Sequence, residues 1–287
     1  MDYQNREGSF ASYRSIAAQK QIPLSEVFIE KEVWDSGRPR ADLWELMRTR
    51  IAVMRSSMER GIGVPQRSRS GFVDGGANRL TQWASNNTPL LGHAFTRMIA
   101  SAMSVAEVNA CMGRIVAAPT AGSCGVMPAV LFAVADERSV PEENLVRALF
   151  TAGGIGLVIE KWASLSGAEG GCQAEVGSAS AMAAGGLVEM MGGNPEMVEH
   201  AVSLTLANVL GLICDPVRGL VEFPCVKRNA LGAVNAVSCA EMALAGIVSP
   251  FPADAVIETM GRVGRKLPDD FRETAKGGLA AIEHGHH

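Results

Sequence analysis

The sequence predicts an all-α fold, a helical bundle-like domain with glycine-rich loops between its helices. Apolar residues recur at helical spacing through most of the 287 residues, for example at Leu43, Met47 and Ile51. No segment alternates apolar and polar residues with the period of two that marks a half-buried strand, and no Asn-Gly hairpin signal occurs. No internal repeat or low-complexity linker divides the chain, so we expect a single helical domain over residues 1–287.

Helix-start signals place the individual helices in order. Two capping-box patterns, Ser104–Glu107 and Ser139–Glu142, predict helix starts in the middle of the chain. Asn194 before Pro195 predicts another start, because Asn caps helices well and Pro is favoured at the first helical position. In chain order, the predicted helices cover residues 24–29, 41–61, 104–112, 139–149, 195–213, 230–247 and 252–263.

The composition is that of a globular chain without a surface suited to nucleic acid. Hydrophobic residues make up 47% and charged residues 20% of the chain, which excludes a mainly disordered protein. The formal net charge is -4 and aromatic residues are only 5%, so neither phosphate neutralisation nor base stacking is favoured. The 31 glycines favour close helix packing or close approach of the backbone to a ligand.

No segment of the chain predicts a membrane association. The N-terminus is polar and lacks the apolar stretch of a secretory leader, so we expect a cytoplasmic protein. The longest uncharged run, Ile115–Ala135, contains two prolines and two glycines. It is therefore interpreted as a buried loop and helix rather than a membrane span. The terminal residues His286 and His287 carry no weight in this interpretation.

The six cysteines are the most informative residues. No two of them form a Cys-x-x-Cys pair, which argues against a zinc ribbon, and a disulfide framework is not expected in a large cytosolic chain. Cys111 and Cys239 lie in predicted helices and are interpreted as small buried hydrophobic residues. Cys172, Cys214 and Cys225 instead lie in loops or at helix ends.

Thiolates at three such positions can converge on a bulky group. They suit an iron–sulfur cube whose fourth iron stays open and acts as a Lewis acid toward a hydroxyl group. The alternative is three unrelated buried thiols, and the spacing alone leaves both interpretations open.

Several motifs resemble, in order along the chain, the alpha chain of the iron–sulfur L-serine dehydratases. The resemblance extends over roughly residues 24–281, which is nearly the whole chain. The matching motifs are Ala118–Gly125, Gly170–Gly177, Cys214–Cys225, Val226–Asn235 and Arg272–Ala280.

This resemblance implies a cofactor and a partner. The cofactor would be a [4Fe-4S] cluster, bound by Cys172, Cys214 and Cys225 within a helical catalytic domain. The family usually works with a beta domain, and nothing in this sequence corresponds to it, so a separate beta chain and an oligomer are expected. Some relatives place a C-terminal cysteine on the open iron, but no cysteine follows Cys239 here.

The activity implied by the resemblance is the conversion of L-serine to pyruvate and ammonia. The open iron would stabilise the departing β-hydroxyl group while a base removes the α-proton. No residue is assigned as this base, which a partner chain could supply. His93 lies in apolar company and is interpreted as a core residue, and neither Lys161 nor Lys227 has a motif that supports a pyridoxal Schiff base.

Two segments are predicted to bind the substrate. The turn from Pro119 to Gly125 offers backbone amides and hydroxyls that suit a carboxylate, and a plain turn between helices explains it equally well. The polar segment after the last cluster cysteine could hold the substrate carboxylate, tune the cluster or cover a helix C-terminus. The predicted substrate-binding residues are Thr120, Ala121, Gly122, Ser123, Lys227, Arg228 and Asn229, with Arg218 as a further candidate.

Because of Arg218, the sequence alone does not fix serine as the substrate. It stands where the family often has alanine, and its guanidinium could hold a second carboxylate or, as we prefer, point to solvent. One alternative function is therefore the same mechanism on threonine, cysteine or an acidic hydroxy-amino acid. Another is a non-catalytic iron–sulfur protein for electron transfer or sensing, although electron carriers usually hold the cube with four cysteines.

Overall fold

The computed structural model describes residues 3–282, and within them the chain is helical and has no β-strand. The all-α prediction is confirmed. Two isolated backbone bridges, Arg67 with Asp74 and Cys214 with Arg272, are the only extended pairings in this part of the chain. The helices are α1 (Phe10–Lys20), α2 (Leu24–Ser36), α3 (Arg40–Gly63), α4 (Gly76–Asn86), α5 (His93–Ala110), α6 (Val126–Arg138), α7 (Glu142–Trp162), α8 (Gly167–Gly170), α9 (Ser178–Met190), α10 (Pro195–Ala207), α11 (Cys225–Leu244) and α12 (Ala253–Lys266). A π-helical turn, Gln173–Gly177, leads into α9, and short 3₁₀ turns cover Val217–Gly219, Asp269–Phe271 and Gly278–Ala281.

Two of the predicted helix starts are wrong. Ser104 lies in the interior of α5, and its hydroxyl donates to the Met58 carbonyl of α3 at 2.5 Å. Ser139 ends α6 in left-handed backbone at φ 53° instead of capping α7. Both serines belong to a capping-box pattern, but neither caps a helix N-terminus. Ser104 bonds to another helix, and Ser139 ends the preceding helix.

The start predicted at Asn194 is confirmed. Its side chain accepts hydrogen bonds from the backbone amides of Glu196 and Met197 at 3.1 and 2.9 Å. The helix that follows, α10, ends at Ala207 rather than at residue 213. Residues 208–213 therefore leave the helix and carry the chain toward Cys214.

Helix α9 forms the centre of the molecule. It packs against α6, α7, α10 and α11, and its residues are almost all buried. Its sequence is rich in Ala, Ser and Gly, which lets neighbouring backbones approach closely. A Cβ atom at Gly186 would lie 2.7 Å from the Ala148 carbonyl of α7, and one at Gly185 would lie 2.3 Å from Ile155. The glycines thus set the distance between α7 and α9.

Buried carboxylates from distant helices cap several helix starts. Glu189 of α9 accepts from Ser25 N in α2, and Glu199 of α10 accepts from Ala253 N in α12, at 3.2 and 3.3 Å. Neither α2 nor α12 has a side-chain cap of its own, because the N-cap residue of each is a proline, whose side chain has no hydrogen-bond acceptor. Tertiary contacts therefore satisfy amides that the local sequence leaves without a partner.

The apolar run at 115–135 behaves as predicted, with an irregular segment followed by α6. In the described part of the chain, every helix is too short or too polar to span a lipid bilayer.

Candidate functional site

Cys172, Cys214 and Cys225 converge on one region between the loops at one end of α9. They come from the turn after α8, the segment after α10 and the first position of α11. Their exposed fractions are 3%, 3% and 9%. Burial raises the pKa of Cys214, and the neighbouring thiols of Cys172 and Cys225 raise it further. These side chains are therefore close enough to interact electrostatically.

The thiols of Cys172 and Cys225 share this environment. Burial raises the pKa of Cys172 to about 11, while the positive charge of Arg228 acts in the opposite direction. Burial raises the pKa of Cys225 to about 12, and the negative charge of Cys172 adds to this rise. Buried thiols with raised pKa values stay protonated unless a metal or a cation compensates their charge.

The other cysteines lie apart from this group. Cys239 is fully buried in α11, as predicted, and Cys124 is also buried. The interpretation of Cys111 as a buried residue is wrong, because it ends α5 and is partly exposed. Within residues 3–282, no three His, Cys, Asp or Glu side chains are arranged to hold a single metal ion.

Arg228 supplies the positive charge of the site. Its Nη2 lies 2.8 Å from Asp215 Oδ1, and its Nη1 donates to the Ile213 carbonyl at 3.0 Å. It is also close enough to Cys172 for its positive charge to lower the pKa of that thiol. The guanidinium is thus held by protein groups beside the cysteines.

The C-terminal segment closes over Cys214. Cys214 N donates to the Phe271 carbonyl and Glu273 N donates to the Cys214 carbonyl, each at 2.9 Å. Farther along, the Leu279 amide donates to Asp215 Oδ2 at 2.8 Å. The motif at 272–280 therefore belongs to the site through backbone contacts.

The loop at residues 120–125 lies on another side. Asn229 is fully buried, and its Nδ2 donates to the carbonyls of Gly122 and Cys225 at 2.8 and 3.0 Å. Its Oδ1 accepts from Gly125 N at 2.9 Å. Both donors and the oxygen of the Asn229 amide are engaged in these bonds, so this residue shapes the loop.

The hydroxyls of this loop lie close together. Thr120 Oγ1 and Ser123 Oγ are 3.0 Å apart. Ala121 is exposed at the tip of the loop, where its carbonyl accepts from Asn109 Nδ2 at 3.2 Å. Gly122 lies against Glu175, whose two carboxylate oxygens would each be 3.4 Å from a Cβ atom at that position.

Glu175 is a site residue that the sequence analysis missed. Its side chain is partly exposed and lies near the hydroxyl of Thr120. Burial raises the pKa of Glu175, the Thr120 hydroxyl opposes this effect, and the nearby Glu273 raises the pKa further. Its position three residues after Cys172, within the glycine-rich motif, was the available signal.

Two basic residues predicted at the site lie on its periphery. Lys227 is exposed on α11 and faces Asp74 and Glu107. Arg218 is exposed, and its guanidinium lies 5.4 Å from the centre of the Phe72 ring. Both side chains are therefore next to the glycine-rich loop at 68–76, away from the buried thiols.

Hydrogen bonds join this loop to the segment between Cys214 and Cys225. Ser68 Oγ donates to Glu222 at 2.6 Å, and Ser70 bonds to the same carboxylate.

His93, expected in the core, is instead the exposed first residue of α5.

The fold and the site define a helical protein whose loops gather buried thiols, two carboxylates and one guanidinium. A family comparison then gives the particular group. The chain belongs to the serine dehydratase alpha chain family, whose model matches residues 19–280.

Individual relatives agree with this membership. The chain is 47% identical over 271 residues to the probable L-serine dehydratase alpha chain of Bacillus subtilis, across 94% of this chain and 90% of that protein. It is 42% identical over 270 residues to the L-serine dehydratase alpha chain of Peptoniphilus asaccharolyticus, across 94% and 92% of the two chains. It is 40% identical over 275 residues to the L-serine dehydratase of Streptomyces coelicolor, across 92% of this chain and 58% of that protein.

Proposed function

We propose that this chain is the catalytic alpha chain of a cytoplasmic L-serine dehydratase that forms pyruvate and ammonia with a [4Fe-4S] cluster. Cys172, Cys214 and Cys225 would hold the cluster. The observation that carries this proposal is the convergence of three buried thiols from three separate segments beside one guanidinium. The names of the relatives support serine as the substrate.

The donor set fits such a cluster. Each cysteine of a cube binds a different iron, so the three sulfurs need not approach one another as ligands of a single ion do. The site also has a glycine where a side chain would intrude. A Cβ atom at Gly167 would lie 3.2 Å from the Cys214 sulfur and 2.9 Å from Glu175 Oε2.

When bound, the cluster would supply an open iron that polarises the β-hydroxyl group of serine. The protein's own residues would hold the rest of the substrate. The loop at 120–123, whose two hydroxyls lie 3.0 Å apart, would contact the substrate carboxylate, and Asn229 fixes that loop. Arg228, held by Asp215, would balance the negative charge of the thiolates. The aminoacrylate formed by loss of water would rearrange to an imine, and water would hydrolyse it.

A separate beta chain would complete the enzyme. The relatives named as alpha chains are covered to 90% and 92% of their length, whereas this chain spans 58% and 52% of the L-serine dehydratases of Streptomyces coelicolor and Escherichia coli. The longer relatives thus have room for a second domain in the same chain.

The cluster ligands can be tested by replacing each cysteine with serine and counting iron and sulfide after anaerobic reconstitution. We expect loss of the cluster for Cys172→Ser, Cys214→Ser and Cys225→Ser. Cys239→Ser is the matched control, since it is equally buried but lies outside the site. Equal iron loss in the control, or full iron content in the Cys214 variant, would overturn the assignment.

The activity can be tested on the reconstituted chain with and without a beta chain, over a panel of amino acids. We expect serine to be the best substrate and the isolated chain to turn over poorly. Full activity of the alpha chain alone would overturn the need for a partner. A stable cluster without turnover of any amino acid would favour the electron-transfer or sensor alternative.

A further inference from the structure

Glu175 occupies a position in the site that none of the proposed cluster or loop roles uses. It lies in the π-helical turn between Cys172 and α9. Its carboxylate reaches back across the site, so that three separate segments surround it. These are the loop at 120–125, helix α8 and the C-terminal segment near Glu273.

Glycines leave the space that this carboxylate fills. Both Glu175 oxygens would be 3.4 Å from a Cβ atom at Gly122, and Oε2 would be 2.9 Å from one at Gly167. The same Cβ at Gly167 would lie 3.2 Å from the Cys214 sulfur. The carboxylate and that sulfur therefore flank one small space next to the proposed cluster.

Uncharged hydroxyls lie beside the carboxylate. The Thr120 hydroxyl is close enough to Glu175 to lower the pKa of its carboxyl, and Thr120 Oγ1 lies 3.0 Å from Ser123 Oγ. A hydroxyl can donate a hydrogen bond to a carboxylate, but it carries no charge that would neutralise it.

Among residues 3–282, no Lys, Arg or His lies within ion-pair distance of Glu175. The neighbouring groups that interact with it electrostatically are the Glu273 carboxylate and the thiols of the three cysteines, none of which carries a positive charge. The one buried guanidinium nearby, Arg228, is held by Asp215 and the Ile213 carbonyl. A partly desolvated carboxylate in such surroundings favours a positively charged ligand group.

We propose that Glu175 binds the α-ammonium group of the amino-acid substrate. This inference rests on the proposed function, because it concerns the substrate of the same site. The ammonium is the one cationic group of serine, and a charge-assisted hydrogen bond to a carboxylate is both strong and directional. Glu175 thereby makes the site selective for an amino acid over the corresponding hydroxy acid.

The test compares Glu175→Gln with the wild type, both with a complete cluster and with their beta chain. Gln keeps the size of the side chain and can still accept from Thr120, but it removes the charge. We expect the KM for L-serine to rise at least tenfold with kcat changed less than about threefold, because only substrate binding loses the contact. Competitive inhibition by L-glycerate, which has a hydroxyl in place of the ammonium, should change less than about twofold.

Two further variants separate this role from a structural one. Glu169→Gln is the matched control, an exposed carboxylate of the same segment that accepts from Ser164 Oγ at 2.6 Å, and its KM should stay at the wild-type value. Glu175→Asp retains the charge and should recover part of the lost affinity for serine.

Other outcomes would overturn the inference. An unchanged KM, or equal weakening of serine and glycerate, would exclude recognition of the ammonium. A large fall in kcat at constant KM would make Glu175 a proton-transfer group, and loss of iron would make it a support for the cluster. If the loaded wild type does not turn over serine at all, the proposed function fails instead, whatever the variants do.

Discussion

Arg228 and Asp215 form an ion pair near Cys172 and Cys225, with Nη2 and Oδ1 2.8 Å apart. The Asp215 side chain is 2% exposed and that of Arg228 is 14% exposed. Asp215 also accepts from the Leu279 amide, so the pair joins α11, the Cys214 segment and the C-terminal segment. Removing either partner therefore affects more than one element.

Replacing Arg228 with Gln should destabilise the protein by about 3–5 kcal/mol, because it leaves Asp215 buried without a counter-charge. The measurement is urea unfolding of the protein without its cluster. Lys227→Gln is the neighbouring control and should change the unfolding free energy by no more than about 0.5 kcal/mol, since Lys227 is exposed. Equal effects of the two variants would show that the ion pair contributes nothing specific.

Replacing Gly278 with Ala should release the C-terminal segment from Asp215. Gly278 has φ 60°, and a Cβ atom there would lie 2.5 Å from Asp215 Oδ2. We expect faster amide hydrogen exchange over residues 271–279 and a lower unfolding free energy. Gly246→Ala is the control, because Gly246 also has positive φ (84°) but no atom within 4 Å of the added Cβ. The idea fails if both variants lose the same stability, since backbone strain alone would then explain the result.

Replacing Arg218 with Ala should change turnover of serine by no more than about twofold. Its guanidinium is exposed and lies against Phe72, a contact worth about 0.5–1 kcal/mol at such a site. The check is kcat/KM on serine and on an acidic hydroxy-amino acid. A roughly tenfold loss on the acidic substrate alone would instead identify Arg218 as the residue that binds a second carboxylate. If the wild type does not turn over an acidic substrate, plain serine specificity remains.

Glu189, which is buried, and Glu26, which is paired with Arg40, should contribute to stability with opposite pH dependences. Burial raises the pKa of Glu189 above its ordinary 4.5, so its favourable contribution is complete below that pH and is lost as the pH rises through the higher folded-state value. The hydrogen bond from Arg40 lowers the pKa of Glu26 below 4.5, so its contribution is present above that pH and is lost on acidification.

The measurement is the unfolding free energy of wild type, Glu189→Gln and Glu26→Gln over a pH series that begins below the ordinary glutamate pKa and extends well above it. The advantage of the wild type over Glu189→Gln should shrink as the pH rises, while its advantage over Glu26→Gln should grow. Parallel curves for the two variants would contradict both assignments.

The sequence was sufficient for features that depend on neighbouring residues. Helical periodicity predicted the all-α fold, and Asn194 capped the helix it was expected to cap because its acceptor and the amides of residues 196 and 197 are adjacent in the chain. The glycine-rich motifs and loop cysteines also pointed to the region where the structure brings three buried thiols together. The cluster and the substrate contacts remain predictions.

Other features could not be predicted because their partners are distant in sequence. The Ser104 hydroxyl bonds to a carbonyl 46 residues away, so the capping-box pattern did not mark a helix start. His93, surrounded by apolar residues in sequence, is exposed because it begins α5.

By itself, the sequence determined the helical class of this protein, its family motifs and the segments that carry its candidate chemistry. Only the tertiary structure decided how those residues are used. Arg228 pairs with Asp215, and Asn229 bonds to the loop at 120–125. Arg218 and Lys227 lie at the surface. Glu175 lies against Gly122 and Gly167. The physical reason is that a buried polar group must find a partner, and packing between helices far apart in the chain sets which partners are within reach.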